Sequence, residues 1–462
     1  MIPILIVNII TLLLIVLNVV YFKSQKYLFL FIPCMLFLPA YYGIEISKIF
    51  PIIEIRRIMF CVFYFYVFVN RKKYISNTDL SIKTISKEYS FLILSFTLRI
   101  VSCSYYLAEH LQAYKTILEI VFEEILLLVC IHIMSLSRED LLKLINIIVW
   151  SSTVIFAVGI FESFTFIRPF DFLYTVSRSV LNEHYVRLGL LRATTTFGMP
   201  VVFGGVCLIV FPAIIYMMLK TNQKKYYMAF IINVMAIIHS GARSAQLFFC
   251  FLMVIFPLFI WNKDEVKKYF KSLFISILIV GIFVLLLCKL SPKYEYFYEG
   301  SAKAVLNEVG FDFELDANVP EGVEGYGDND STGSYSRVAE FSGIKYALEK
   351  NFWFGLGDGC DQRNEIRYLW FGKWKPHKAI DIGIVEVFMT EGVIGFLAFL
   401  CLFIFIMYTI IKMKNGLEKR ICFLTVIAYL LSTLGTSNIF SFLFAFVAII
   451  MSYQKVQNNM ID

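Results

Sequence analysis

The chain has 462 residues, 59% of them apolar and 17% charged, with a mean hydropathy of +0.73. A water-soluble fold of this length cannot bury that much apolar surface, so lipid must be its solvent. The net charge of +7 is carried by alternate loops and reflects membrane orientation; it does not point to nucleic acid.

A hydrocarbon core about 30 Å thick needs about 20 apolar residues in helical form, because backbone polar groups in lipid must be paired within the segment. Taken in order, such runs are Ile2 to Phe22, Tyr27 to Tyr42, Ile58 to Val69, Tyr89 to Leu107, Ile117 to Met134, Leu144 to Phe166, Pro200 to Leu219 and Tyr226 to Ile238. Ser244 to Trp261, Ser272 to Cys288, Ile382 to Ile411, Ile421 to Leu434 and Ile439 to Tyr453 complete the set. The expected fold is therefore an all-α polytopic membrane protein with 12–13 transmembrane helices. The first run has no basic residues before it and no small-residue cleavage site, so it is expected to stay as an anchor.

Orientation follows from the basic loops. Lys23/Lys26, Arg71/Lys72/Lys73, Lys220/Lys224/Lys225, Lys263/Lys267/Lys268 and Lys412/Lys414 mark the cytoplasmic side. The segments 167–199 and 289–381 then face outward. This divides the chain into residues 1–288 with the outer loop 167–199, a large extracytoplasmic (periplasmic) loop 289–381, and C-terminal helices 382–462. The large loop opens with an acidic stretch, Glu308 to Asp330, holding eight acidic and no basic residues, which reads as flexible. Its later part, Arg337 to Lys350, places Val338, Phe341, Ile344, Tyr346 and Leu348 in an amphipathic pattern and predicts a helix over the bundle. Cys360 is the one cysteine outside the apolar runs, and no disulfide framework is expected.

Four segments put ionisable groups where a membrane protein ordinarily avoids them. Arg187 and Arg192 lead through Ala-Thr-Thr-Thr-Phe-Gly198-Met-Pro200 into a span, and a guanidinium fork suits phosphate oxygens. Interfacial snorkelling is the bland reading for Arg187. His239-Ser240-Gly241-Ala242-Arg243 is a tight polar turn in which Arg243 either binds an anion or caps carbonyls. Arg337 precedes Phe352-Trp353-Phe354-Gly355-Leu-Gly357-Asp-Gly359, whose glycines permit close approach of a ligand or a helix. His377 and Asp381, four apart, share a face if helical, and either could accept a proton from a hydroxyl; Asp381 could equally be an N-cap. Asp328 to Gly333 imitates the start of a calcium loop, but the twelfth position is Ala339, and no metal is expected.

Together, Arg192-Ala-Thr-Thr-Thr-Phe-Gly198-Met-Pro200, Ser240-Gly241-Ala242-Arg243, Arg337 before Phe352-Trp353-Phe354-Gly355-Leu-Gly357, and Glu391-Gly392-Val-Ile-Gly395 resemble the O-antigen polymerase and ligase superfamily, most of all the Wzy-type polymerases. The likeness covers about residues 187 to 400. It implies a GT-C-like membrane glycosyltransferase in the bacterial cytoplasmic (inner) membrane, without metal or cofactor, using undecaprenyl-pyrophosphate-linked oligosaccharides. Membrane lipids and a chain-length regulator are implied as further partners. On that resemblance Arg192 and Arg243, with Arg187 and Arg337, hold pyrophosphate, and Arg187 with Gly198 fits the polymerase Arg-x10-Gly pattern. Where ligases carry His-Asn eleven residues before the paired glycines, this chain has Asp381, with His377 four residues earlier. The base stays open between them; an imidazole ordinarily titrates nearer neutrality. The implied activity is polymerisation of O-antigen or capsular polysaccharide. Ligation to lipid A core is the near alternative, and a lipid-linked oligosaccharide flippase the distant one. Charge within the spans is sparse, chiefly Arg99, Glu119, Glu123, Glu124 and Glu162, which argues against transport.

Overall fold

A computed structural model describes residues 52–72, 89–134, 136–174, 185–259, 262–315, 319–323, 333–377 and 379–437, with pieces at 36–39, 42–44 and 446–453 and a few isolated positions. The expected spans Ile2 to Phe22 and Tyr27 to Tyr42, much of Ile439 to Tyr453, and the calcium-like Asp328 to Asp330 lie wholly or largely outside the described residues.

A short antiparallel pair, β1 (Gly43–Ile44) and β2 (Ile53–Glu54), precedes helix α1 (Ile55–Val69). Next come α2 (Ser90–Tyr105), α3 (Leu111–Glu119), a π-helical turn Ile120–Ile125, and α4 (Leu126–Met134). Helix α5 (Arg138–Thr165) starts at a capping box in which Ser137 Oγ accepts the Asp140 amide and the Asp140 carboxylate reaches back to the Ser137 amide. After it come the hairpin β3 (Val186–Arg187) and β4 (Leu190–Leu191), then α6 (Pro200–Thr221), α7 (Lys224–His239), α8 (Arg243–Phe259) and α9 (Lys263–Leu290). The outer segment contributes α10 (Pro292–Glu308), α11 (Gly333–Lys350) and the hairpin β5 (Arg367–Trp370) and β6 (Lys373–Pro376). Helices α12 (Gly383–Lys412) and α13 (Leu417–Thr433) follow.

Four of these, α5, α6, α9 and α12, are long and apolar enough to cross a membrane; α2 and α8 are apolar but shorter. Two of the four show what the surroundings must be. In α6, 83% of the apolar window is buried inside the protein, so it forms the centre of a bundle with α5, α7, α8 and α13. In α9 only 6% is buried, and Phe274, Ile277, Ile282, Leu285 and Leu286 point outward. Such an apolar face is stable only against lipid. The chain is thus a mostly helical membrane protein.

A second core joins α1, α2, the α3–α4 segment, α12 and α13. Here α12 is not one continuous helix: Gly392 stands at φ 65°, ψ −154°, a region open essentially to glycine alone, and breaks it in two. The segment after α11 fills the break. Leu356 and Gly357 donate to the carbonyls of Met389 and Thr390 at 2.7 and 3.1 Å. Val393 and Ile394 donate to Phe352 and Trp353, both at 3.2 Å. Backbone groups freed by the break are thereby paired within protein, as a lipid setting requires.

One expectation for the large loop needs correction. Helix α11 exists, but Val338 and Phe341 are 70% and 48% exposed. The buried face centres on the small-residue row Ala339, Gly343 and Ala347, spaced by four, which lets the helix settle closely on Met389 of α12 and Tyr368 of β5, with Ile344 and Tyr346 partly buried beside it. The loop, expected to be partly helical, also holds two strands. The β5–β6 hairpin turns at Phe371 and Gly372, with φ 48° and 76°, the geometry of a two-residue type I′ turn.

Candidate functional site

Three of the four arginines expected to hold phosphate come together on one backbone turn. The β3–β4 hairpin turns through Leu188 and Gly189, both at positive φ, and buries Leu188 against Gly300 and the aromatic residues of α10. This places Arg187 so that Nη1 donates to the Gly241 carbonyl at 2.9 Å. Arg192, one residue past β4, donates Nε to the Ser240 carbonyl at 3.0 Å. Gly241 has φ +59°, and a Cβ there would sit 2.9 Å from Arg192 Cγ and Nε. Arg243 opens α8, where the positive end of the helix dipole lies. Its Nη1 pairs with Glu308 Oε1 at 3.0 Å. Arg187, Gly241, Arg243, Gln246 and Ser301, with the apolar Leu188, Phe297 and Ala304, line a gap of only about 10 Å³.

The Thr-Thr-Thr run beside Arg192 is fixed by a buried acid. Glu162 Oε2, on α5, accepts the amides of Thr194 and Thr195 at 3.1 and 2.9 Å, and Glu162 is fully buried. Thr196 Oγ1 donates to the Leu36 carbonyl, and the Ala193 amide to the His239 carbonyl. His239 is a buried structural histidine: its ring nitrogens meet Ser163 Oγ at 2.9 Å and Tyr298 Oη at 3.0 Å.

Arg337 is placed elsewhere, one turn before Glu340 on α11, where its charge acts on that carboxylate. Glu340 Oε2 accepts the amides of Asp381 and Ile382 at 3.0 and 3.2 Å and so serves the start of α12. Burial, then the neighbouring Asp381 charge, lifts the Glu340 carboxyl to about 7. The capping role considered for Asp381 thus belongs to Glu340, and Asp381 is exposed. His377 and Asp381 do not share a helical face, because the described residues between β6 and α12 are not helical. His377 follows β6, its amide bonded to the Ile366 carbonyl and its ring 4.8 Å from the Tyr368 ring.

A second polar centre was not legible as a unit. Arg99 on α2 is 6% exposed and bonds Glu124 Oε2 at 2.5 Å through Nη1, with Glu391 Oε1 3.5 Å from Nε. Arg57 binds Glu119 and Glu123, the latter at 2.7 Å. Asp358, in the segment packed into the α12 break, accepts from Cys103 Sγ at 3.3 Å and from the Thr116 hydroxyl. The π-helical turn distributes the glutamates: Glu119 and Glu123 face Arg57, while Glu124 faces Arg99. Tyr64 Oη donates to the Phe122 carbonyl within that turn. These groups surround a cavity of about 360 Å³, lined by Arg56, Arg99, six carboxylates and the hydroxyl residues Thr116 and Thr390. The charges that look sparse along the sequence are therefore gathered: four of the five lie in this one cluster. Their sparseness cannot be held against transport.

These features define a helical membrane protein with three arginines gathered at a turn between two helices. Residues 228–400, which contain that turn, α11 and the Gly392 break, match the Wzy_C family model, O-Antigen ligase, and the match supports the O-antigen polymerase/ligase superfamily for this chain. Members of that family are glycosyltransferase-like enzymes, so the match indicates a function of the ligase or polymerase type. No curated protein and no solved structure matches the chain.

Proposed function

We propose that the protein transfers a growing glycan from undecaprenyl pyrophosphate to the next lipid-linked repeat unit, at the outer face of the bacterial cytoplasmic membrane. The observation that carries this reading is the convergence of Arg187, Arg192 and Arg243 on the Ser240–Gly241 turn. An acceptor hydroxyl attacks the anomeric carbon, and the bond from that carbon to the pyrophosphate oxygen breaks with the electron pair leaving on pyrophosphate. Charge on the leaving group grows along this path, so guanidiniums held in advance stabilise the transition state more than the ground state. The acceptor's proton goes to a base, for which His377 and Asp381 are the candidates. Neither touches the arginine turn in this conformation, so the loop bearing them would have to approach it. Arg337 is retained only as a contributor to the same loop, through Glu340.

The family model's description favours a second reading, in which the acceptor is lipid A core. The acceptor distinguishes the two. Purified protein given synthetic lipid-linked repeat units should lengthen the glycan under the first reading. Under the second it should turn over only when the core acceptor is supplied.

A further inference from the structure

We propose that the cavity between α2, the π-helical turn and the first half of α12 binds a sugar ring of the acceptor glycan through its hydroxyls. This rests on the transfer reading above and adds a second substrate subsite to it. The cavity shares no lining residue with the gap at the arginine turn.

Charge selects the ligand class. Six carboxylates against two guanidiniums line the space, so a pyrophosphate would be repelled from it. The carboxylates also do not converge as cation ligands do: among the described residues, no group of three His, Cys, Asp or Glu is placed to hold a metal ion. What the walls offer is alternation of fixed donors and acceptors, as in Glu124–Arg99–Glu391, with two hydroxyl residues beside them. A sugar hydroxyl both donates and accepts, and vicinal hydroxyls match such a row.

Two further observations point to an occupant. Glu124 and Glu391 are 8% and 6% exposed, and Arg99 engages one oxygen of each. The second oxygen of each receives no hydrogen bond from the described residues, so it stays available to a donor. The volume of about 360 Å³ lies at the small end of ligand pockets, with room for a sugar ring and a few waters. The α12 wall residues, Glu386 to Glu391, end just before the break at Gly392, and Asp358 of the outer loop lines the same cavity. A glycan anchored there would be held by the same loop that carries His377 and Asp381.

The test is saturation-transfer NMR on the full chain in nanodiscs, using methyl glycosides of a hexose, a 6-deoxyhexose and an N-acetylhexosamine as probes. Spermidine and calcium are run as cationic probes. At least one glycoside should bind, and Glu124→Gln should weaken it about tenfold or more, the loss expected for a hydrogen bond to a buried charge. Thr390→Leu narrows the cavity without changing a charge and should weaken binding even if Glu124→Gln does not fold. Arg192→Ala should bind the glycoside within twofold of wild type while losing transfer. If no glycoside binds, if only spermidine or calcium binds, or if both cavity variants fold and bind as wild type does, the proposal is overturned. Transfer is assayed on the same samples with lipid-linked repeat units and, separately, with core acceptor. Wild-type transfer without glycoside binding would sink the cavity proposal alone. Glycoside binding without transfer to either acceptor would sink the transfer reading.

Discussion

Gly392→Ala should be among the most damaging single-methyl changes in the chain. At φ 65°, ψ −154°, an alanine would carry strain of about 1–3 kcal/mol. Its Cβ would also stand 2.5 Å from the Gly355 amide nitrogen and from the Trp353 carbonyl oxygen, both backbone atoms that cannot swing aside. Relief requires the 352–357 segment to lift away. Four hydrogen bonds join that segment to residues 389–394, each contributing about 0.5–1.5 kcal/mol net, so losing half of them adds about 1–3 kcal/mol. The sum, about 2–6 kcal/mol, is a large share of ordinary folding stability. Thermal unfolding in detergent, followed by loss of monodisperse protein on size exclusion, should move down by about 2–6 °C. Gly281→Ala is the control, because a Cβ there has nothing within 4 Å on the lipid-facing α9, and helix propensity predicts a neutral or slightly stabilising change. If Gly392→Ala melts within about 1 °C of wild type, the broken-helix account is wrong.

Further expectations follow from the buried acids and from Gly241. Arg99→Met strands Glu124 and Glu391 and should cost about 3–5 kcal/mol, most of it recovered when both acids are also made leucine; thermal unfolding of the two variants decides it. Glu162→Leu removes the acceptor for the Thr194 and Thr195 amides and should cost about 2–4 kcal/mol, whereas Glu162→Gln keeps an acceptor and should retain most of the stability in the same assay. Glu340 has a folded pKa of about 7 against an ordinary 4.5, so the folded state holds its proton more tightly. Its contribution is complete below about pH 4.5 and is lost as pH rises through 7, so wild-type melting should fall between pH 5 and 8 and Glu340→Gln should flatten that slope. Gly241→Ala should displace Arg192 from the turn and reduce the transfer rate about tenfold or more at unchanged expression, measured by glycan ladder.

How much of this could be read beforehand depended on whether partners lie near each other in sequence. Arg187, Arg192 and Arg243 stand in two compact polar segments, each breaking an apolar run, and both segments are visible without a structure. The cavity draws on residues 56, 99, 116–124, 358 and 386–391, and each looks like an isolated charge until the helices pack. The π-helical turn added to this, since it alters which glutamates share a face and has no hydropathy signal. The apolar spacing of helix α11 finds the helix and the packed Ile344 and Tyr346, but not its closest contacts, which are made by Ala339, Gly343 and Ala347 and carry little hydrophobic weight. The β5–β6 hairpin was legible in principle: Phe371-Gly372 separates Tyr368-Leu369-Trp370 from the alternating Lys373-Trp374-Lys375, a strand period. Glu308 was assigned to a flexible acidic stretch, yet it ends a helix and pairs with Arg243.

The most direct measurement uses the full chain in nanodiscs with a synthetic undecaprenyl-pyrophosphate-linked repeat unit, without nucleotide sugar, and reads glycan length by gel or mass spectrometry. A ladder of products from wild type, lost in both Arg192→Ala and Arg243→Ala although each variant folds, is the predicted result. A ladder of equal length and rate from the two variants would contradict the assignment of the arginine turn to pyrophosphate.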